Sequence, residues 1–260
     1  MESLRKNPAA SWMLAALAFL ALTYVPMFMS PEIVDAFVRE DRIYEVLSSL
    51  YLFVTSVLFA IAFFQSRARF DLRDPLWIRK MIFLGFAALF FLAAGEEISW
   101  GQRIFGFETP NLIKDHNVQK ELTLHNLNFF QGENRLIPLS FGQMAAMFAL
   151  GFGAALPLAC KFIPVLNRWV NPIFPVLPAI TSVLFIGNYL IQKAIVRTIP
   201  IFPQLYHNPD LGFRAALLET REHGYEFALM VATMIYVFVK LRTPPEAGKS
   251  TIEAAAPDGH

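Results

Sequence analysis

Glu219, Glu222, His223 and Glu226 occupy positions i, i+3, i+4 and i+7 of one stretch near the end of the chain. On an α-helix those positions form a single ridge. Three carboxylates and an imidazole in a row offer acid–base chemistry and hard metal ligation. Glu96 and Glu97 close an earlier apolar stretch, and Glu121 and His125 repeat the E-x-x-x-H spacing between the two. Together these residues are the ligand inventory of a His–carboxylate metal site, of the kind helical bundles build from facing helices. The spacing departs from the E-x-x-H of ferritin-like di-iron sites. The expected ligands are Glu96, Glu121, His125, Glu219, Glu222 and His223, around a divalent metal such as zinc or iron. Glu97 or Glu226 is then the candidate general base, and Arg103 the group that holds a substrate phosphate.

Depth supports placing these residues together. From the cationic anchor Lys80, Glu96 and Glu97 lie about 24 Å along a helix; from Lys240, Glu226 lies about 21 Å in and His223 about 26 Å. Both counts end just inside one edge of a hydrocarbon core about 30 Å thick, where charge is costly. Two other arrangements also account for such residues. Arg103, Lys193, Arg197, Arg214 and Arg221 fall at the same level and would form an ionic cap with the glutamates. Alternatively, Glu97 and Glu226 would carry protons or cations, a reading that calls for polar residues continuing across the membrane. Met81 to Leu92 and Phe227 to Val239 are almost wholly apolar instead.

The elements that must position these groups are transmembrane helices. Of 260 residues, 55% are hydrophobic and 17% charged, and the mean hydropathy is +0.45. That is too apolar for an ordinary soluble domain. Six segments are about long enough to cross: Ala9 to Met29, Tyr44 to Phe64, Met81 to Trp100, Leu136 to Cys160, Phe174 to Val196 and Glu222 to Lys240. Residues 1–242 therefore read as one all-α membrane bundle, and residues 243–260 as a disordered cytoplasmic tail. Arg5, Lys6, Arg67, Arg69, Arg73, Arg79, Lys80, Lys161, Arg168, Lys240 and Arg242 fall on one side if there are six spans, which places both termini in the cytoplasm of a cell-membrane protein. Gly101 to Arg135 then faces outward. Within it Val118, Leu122, His125 and Phe129 share one helical face, predicting a short interfacial or re-entrant helix over Asn117 to Phe130. Trp77, Trp100 and Trp169 fall where interfacial anchors sit. Gln102, Asn126, Asn188 and Gln192 are suited to bonding helices together. Cys160 is the sole cysteine, so a disulfide within the chain is excluded, and a net charge of +1 gives no sign of a nucleic-acid partner. The partners expected are membrane lipid and a lipid-linked substrate.

The run GEEISWGQR from Gly95 to Arg103, followed by ELTLHN from Glu121 to Asn126, resembles a group of bacterial multi-pass membrane proteins to which no activity is attached. The resemblance covers part of the chain and implies a bacterial inner-membrane location. The Ser, Asp and three-His pattern of the membrane hydrolases that include alkaline ceramidases is missing: Ser99 has no histidine four residues on, and H-x-x-x-H does not occur.

Overall fold

The computed structural model describes residues 8–38, 43–66, 75–117, 120, 122–123, 127, 140–201 and 211–240. The regular elements among them are helical. α1 (Pro8–Leu22) leads into a 3-10 turn at Val25–Phe28 and a short α2 (Pro31–Val38). α3 (Ile43–Gln65) and α4 (Pro75–Glu97) have 23 residues each, about 35 Å of helix. After α4 come two one-turn helices, α5 (Gln102–Phe105) and α6 (Asn111–Lys114). α7 (Phe141–Leu150) passes through a π-helical stretch, Gly151–Ala155, into α8 (Leu156–Phe162), and α9 (Pro164–Val170) follows. α10 (Ser182–Thr198) and α11 (Leu211–Ile235) complete the bundle, α11 continuing as a π-helical turn at Tyr236–Lys240.

Five segments are long and apolar enough to span a membrane: Ser11–Phe28, Pro31–Gln65, Leu76–Glu97, Phe141–Phe162 and Ala179–Thr198. This is an all-α membrane protein. The sixth expected span lies within α11, whose polar ridge lowers its hydropathy, yet α11 touches α1, α3, α7 and α10. It is the hub of the bundle. Phe53, Leu89, Phe91, Leu92, Met147 and Leu190 are all exposed. In water that belt would oppose folding at about 25 cal/mol per Å²; in lipid it is a solvated surface.

Helices approach closely where side chains are small or can bond a neighbouring backbone. Ser49 and Ser56 of α3 donate to the carbonyls of Ala94 and Ala87 on α4, at 2.8 and 2.7 Å, a pairing that small hydroxyl residues favour in membranes. Gly153 lies directly against the Phe185 ring of α10, where any Cβ would collide. α7 starts at a capping box: Ser140 Oγ accepts from the Gln143 amide, and the Gln143 side chain accepts from the Ser140 amide. α4 stops at Glu97 because the chain beyond Ile98 turns left-handed, with φ of 46° at Ser99, 55° at Trp100 and 72° at Gly101.

The helix expected over Asn117 to Phe130 is not formed at the residues described there. Asn117 and Leu127 instead pair in an isolated antiparallel bridge, and Lys120 takes a positive φ of 60°. Asn117 closes this turn by donating its amide to the Thr123 carbonyl at 2.7 Å. The apolar spacing of this segment fits a helical period, but local side-chain bonding sets the chain direction.

Candidate functional site

Tyr44, Ser48 and Tyr51 lie on the face of α3 that meets α11, and all are buried. Against them sits His223, 2% exposed. Its ring stacks on Tyr44, with centroids 4.4 Å apart and planes 8° from parallel, and the Tyr51 ring lies 5.2 Å away. Ser48 Oγ is 3.0 Å from His223 Nδ1. The Glu226 carboxylate, one turn further along α11, lies within reach of the same hydroxyl. A hydroxyl carries one proton and accepts through its lone pairs. When Ser48 donates to Glu226 it can accept from an Nδ1–H, and when it donates to Nδ1 it can accept from a protonated Glu226. Glu226, Ser48 and His223 thus form a three-group chain along which a proton can shift either way. At its two ends, Glu226 Oε2 and His223 Nε2 are buried with no hydrogen-bond partner among the described residues.

Further carboxylates surround this chain. Glu97, at the end of α4, lies within electrostatic reach of Glu226, Glu45, Glu219 and Glu222. Glu222 pairs with Arg221 at 3.6 Å and rests on the first turn of α7, where a Cβ at Gly142 would strike its carboxylate. Glycine therefore allows the positive end of α7 to meet an anionic side chain. Arg221 lies over the Tyr225 ring, 5.9 Å from its centroid. Asn188 of α10 accepts from the Tyr24 hydroxyl at 2.6 Å and donates to the Arg221 carbonyl at 2.7 Å, so one amide ties the end of α1 to α10 and α11.

The other half of the bundle is closed by aromatic rings. Phe86 stacks on Phe59 and Phe152, each at 5.0 Å, and meets Phe174 edge-on at 5.5 Å. Phe90 and Phe148 extend the layer. Below it Arg79 donates to the Tyr236 hydroxyl and lies over Phe83 at 5.5 Å.

The structure gathers some of the expected site residues and separates others. Glu97, Glu222, His223 and Glu226 share one end of the bundle. Glu219 is also on the ridge but exposed. Glu96 leaves α4 in another direction, accepts from Trp100 Nε1 at 2.8 Å and lines a separate cavity. The described residues lend the metal expectation no support: among them no group of three or more His, Cys, Asp and Glu side chains is disposed to hold an ion. The physical reason is direction, since consecutive residues on a helix point about 100° apart and His223 is turned into α3. Glu121 and His125, the Arg103 side chain and residues 243–260 lie outside the described residues. Of the cations assigned to an ionic cap, Lys193, Arg197 and Arg214 are exposed, and Arg221 meets Glu222. Trp100, expected as an interfacial anchor, packs on Gly95 at the end of α4.

Sequence reasoning passed over Ser48 and Tyr44. Their signal was available: Tyr44, Ser48, Tyr51 and Thr55 fall at i, i+4, i+7 and i+11, a hydroxyl stripe along an otherwise apolar span. Family models, curated proteins and solved structures were all compared with the chain, and none matches it.

Proposed function

We propose that the chain is a membrane-embedded acid–base enzyme, acting from the outer side of the bilayer on a lipid or lipid-linked substrate. The observation that carries this reading is the Glu226–Ser48–His223 chain linking α11 to α3, with an unpartnered acceptor or donor at each end. Positioned groups that can both give and take a proton supply about 10²- to 10⁴-fold of catalysis. Glu97 stands within reach as a second carboxylate, and the aromatic layer between Phe59 and Phe174 supports access from one side only. No metal is needed for this chemistry. The test is to incubate the protein in lipid nanodiscs with a total bacterial lipid extract and follow products by mass spectrometry. A product formed by wild type and lost in Glu226→Gln is the expected result.

A proton or cation transporter is the second reading, favoured by the number of glutamates within reach of Glu97. Proteoliposomes enclosing a pH dye separate the two. Proton flux under an imposed potential, abolished by Glu226→Gln and unaccompanied by lipid turnover, would replace the enzyme with the transporter.

A further inference from the structure

Arg79 stands near the start of α4, at the end of the bundle away from Ser48, and the fold supplies its charge with no anion. A guanidinium carries five N–H groups. One nitrogen donates to the Tyr236 hydroxyl, and Nε is buried with no hydrogen-bond partner. The Phe83 and Tyr236 rings lie 5.5 and 6.0 Å from the guanidinium carbon; they attract the charge but offer no oxygen to the remaining N–H groups. Among the described residues no carboxylate pairs with Arg79. Lys80 beside it is in the same condition. Its ammonium donates to the Ser66 carbonyl at 3.1 Å and lies 4.9 Å from the Phe63 ring centroid, again with no described carboxylate. Charge inside a span is expensive unless it meets a partner, and both residues fall within the apolar segment Leu76–Glu97. Both are partly exposed, so an anion can reach them from outside the bundle.

We infer that Arg79, with Lys80 beside it, binds the phosphate of an anionic phospholipid. The paired oxygens of a phosphodiester match the planar N–H fork of a guanidinium, and lipid phosphates lie at the depth where a spanning segment ends. Lipid is the occupant, in preference to soluble phosphate, because Leu76 and Ile78 on the same turns are exposed and offer acyl chains a surface. Tyr236 holds the guanidinium from the far end of α11, so the bound headgroup would fasten the start of α4 to the end of the last helix. The site is independent of the proton chain, because Glu97 lies about 27 Å further along α4.

Native mass spectrometry of the detergent-released protein tests it, using phosphatidylglycerol and phosphatidylcholine with identical acyl chains. Wild type should favour phosphatidylglycerol by about fivefold or more, and Arg79→Gln should remove most of that preference. Arg79→Lys, which keeps the charge and loses the fork, should retain only part of it. Arg168→Gln, at an exposed cation on α9, should retain all of it, and inorganic phosphate at the lipid's concentration should not displace the lipid. No preference in wild type, an undiminished preference in Arg79→Gln, or an equal loss in Arg168→Gln overturns the inference; displacement by inorganic phosphate replaces the lipid with a soluble anion. Should Arg79→Gln fail to fold, Arg79→Lys decides, since a preference as large as that of wild type rules out the fork.

Discussion

Replacing Ser48 by Ala removes one oxygen from the α3–α11 interface and leaves the apolar packing around Tyr44 and Tyr51 in place. The lost interactions are the 3.0 Å contact to His223 Nδ1 and the approach to the Glu226 carboxylate. As helix glue these are worth little: interhelical hydrogen bonds in membranes average about 0.6 kcal/mol and reach about 1.7. Stranding a buried Nδ1 and a carboxylate oxygen adds to that, bringing the expected loss of stability to about 1–2 kcal/mol. If protons pass through the hydroxyl, turnover should fall by about 10²-fold or more, equivalent to about 2.7 kcal/mol in the barrier. Ser49→Ala is the matched control. It breaks a 2.8 Å bond to the Ala94 carbonyl on the same helix but touches no titratable group. The assay pairs unfolding in detergent with lipid turnover in nanodiscs, and adds the ¹⁵N resonance of the His223 ring. The expected pattern is similar stability in the two variants, a large loss of turnover only in Ser48→Ala, and a moved His223 signal only there. Should Ser48→Ala turn over lipid within a few-fold of Ser49→Ala, the hydroxyl is a fastener and the relay argument fails.

Gly142→Ala forces a methyl against the Glu222 carboxylate and should cost about 1–3 kcal/mol. Combining it with Glu222→Ala should recover most of that loss, and strict additivity in the double-mutant cycle would show the two residues not to be in contact. Asn188→Ala removes the bonds to Tyr24 and to the Arg221 carbonyl and should lower stability by about 1–3 kcal/mol, measured by unfolding in detergent; a neutral outcome would mean that water replaces the amide. Phe86→Ala opens the aromatic layer where Phe59, Phe152 and Phe174 meet, with an expected cost of about 3–5 kcal/mol. For topology, Asp115→Cys in a Cys160→Ala background should react with an impermeant thiol reagent from outside sealed cells, following the positive-inside distribution; reaction from the cytoplasmic side alone would invert the protein.

The helices were legible because the hydrocarbon core imposes a length that few other environments demand. Ala9 to Met29, Tyr44 to Phe64 and Phe174 to Val196 each fall on a helical stretch of the structure, with ends displaced by a few residues at turns such as Val25–Phe28 and Ala179–Thr181. The shared level of Glu97 and Glu226 was legible for the same reason, since rise per residue converts position into depth. What was not legible was direction about the helix axis. Glu96 and Glu97 are indistinguishable in depth, yet one faces a cavity beside Trp100 and the other the glutamates of α11. Ser48 was hidden because a serine in an apolar span has no necessary chemistry until its neighbour is known to be His223. The segment around Asn117 misled because an apolar spacing of four and three residues fits a helix, while Asn117 and Lys120 bend the chain by local bonding and a left-handed backbone.

The polarity of α11 has a consequence for how the protein is made. A charged residue within the hydrocarbon raises the cost of inserting a lone helix, by up to about 2.5–3.5 kcal/mol at the bilayer centre and less toward its edge, and α11 carries Glu222 and Glu226 on the polar ridge just inside that edge. Helices that precede it in the chain supply partners for its polar groups: Ser48 from α3 for His223, the first turn of α7 for Glu222, and Asn188 from α10 for the Arg221 carbonyl. Integration of the last helix is therefore a cooperative step, in which the nascent bundle acts as the solvent. Fused alone to a reporter, Leu211–Ile235 should insert poorly, and the same segment should insert efficiently once α3, α7 and α10 have been synthesised ahead of it.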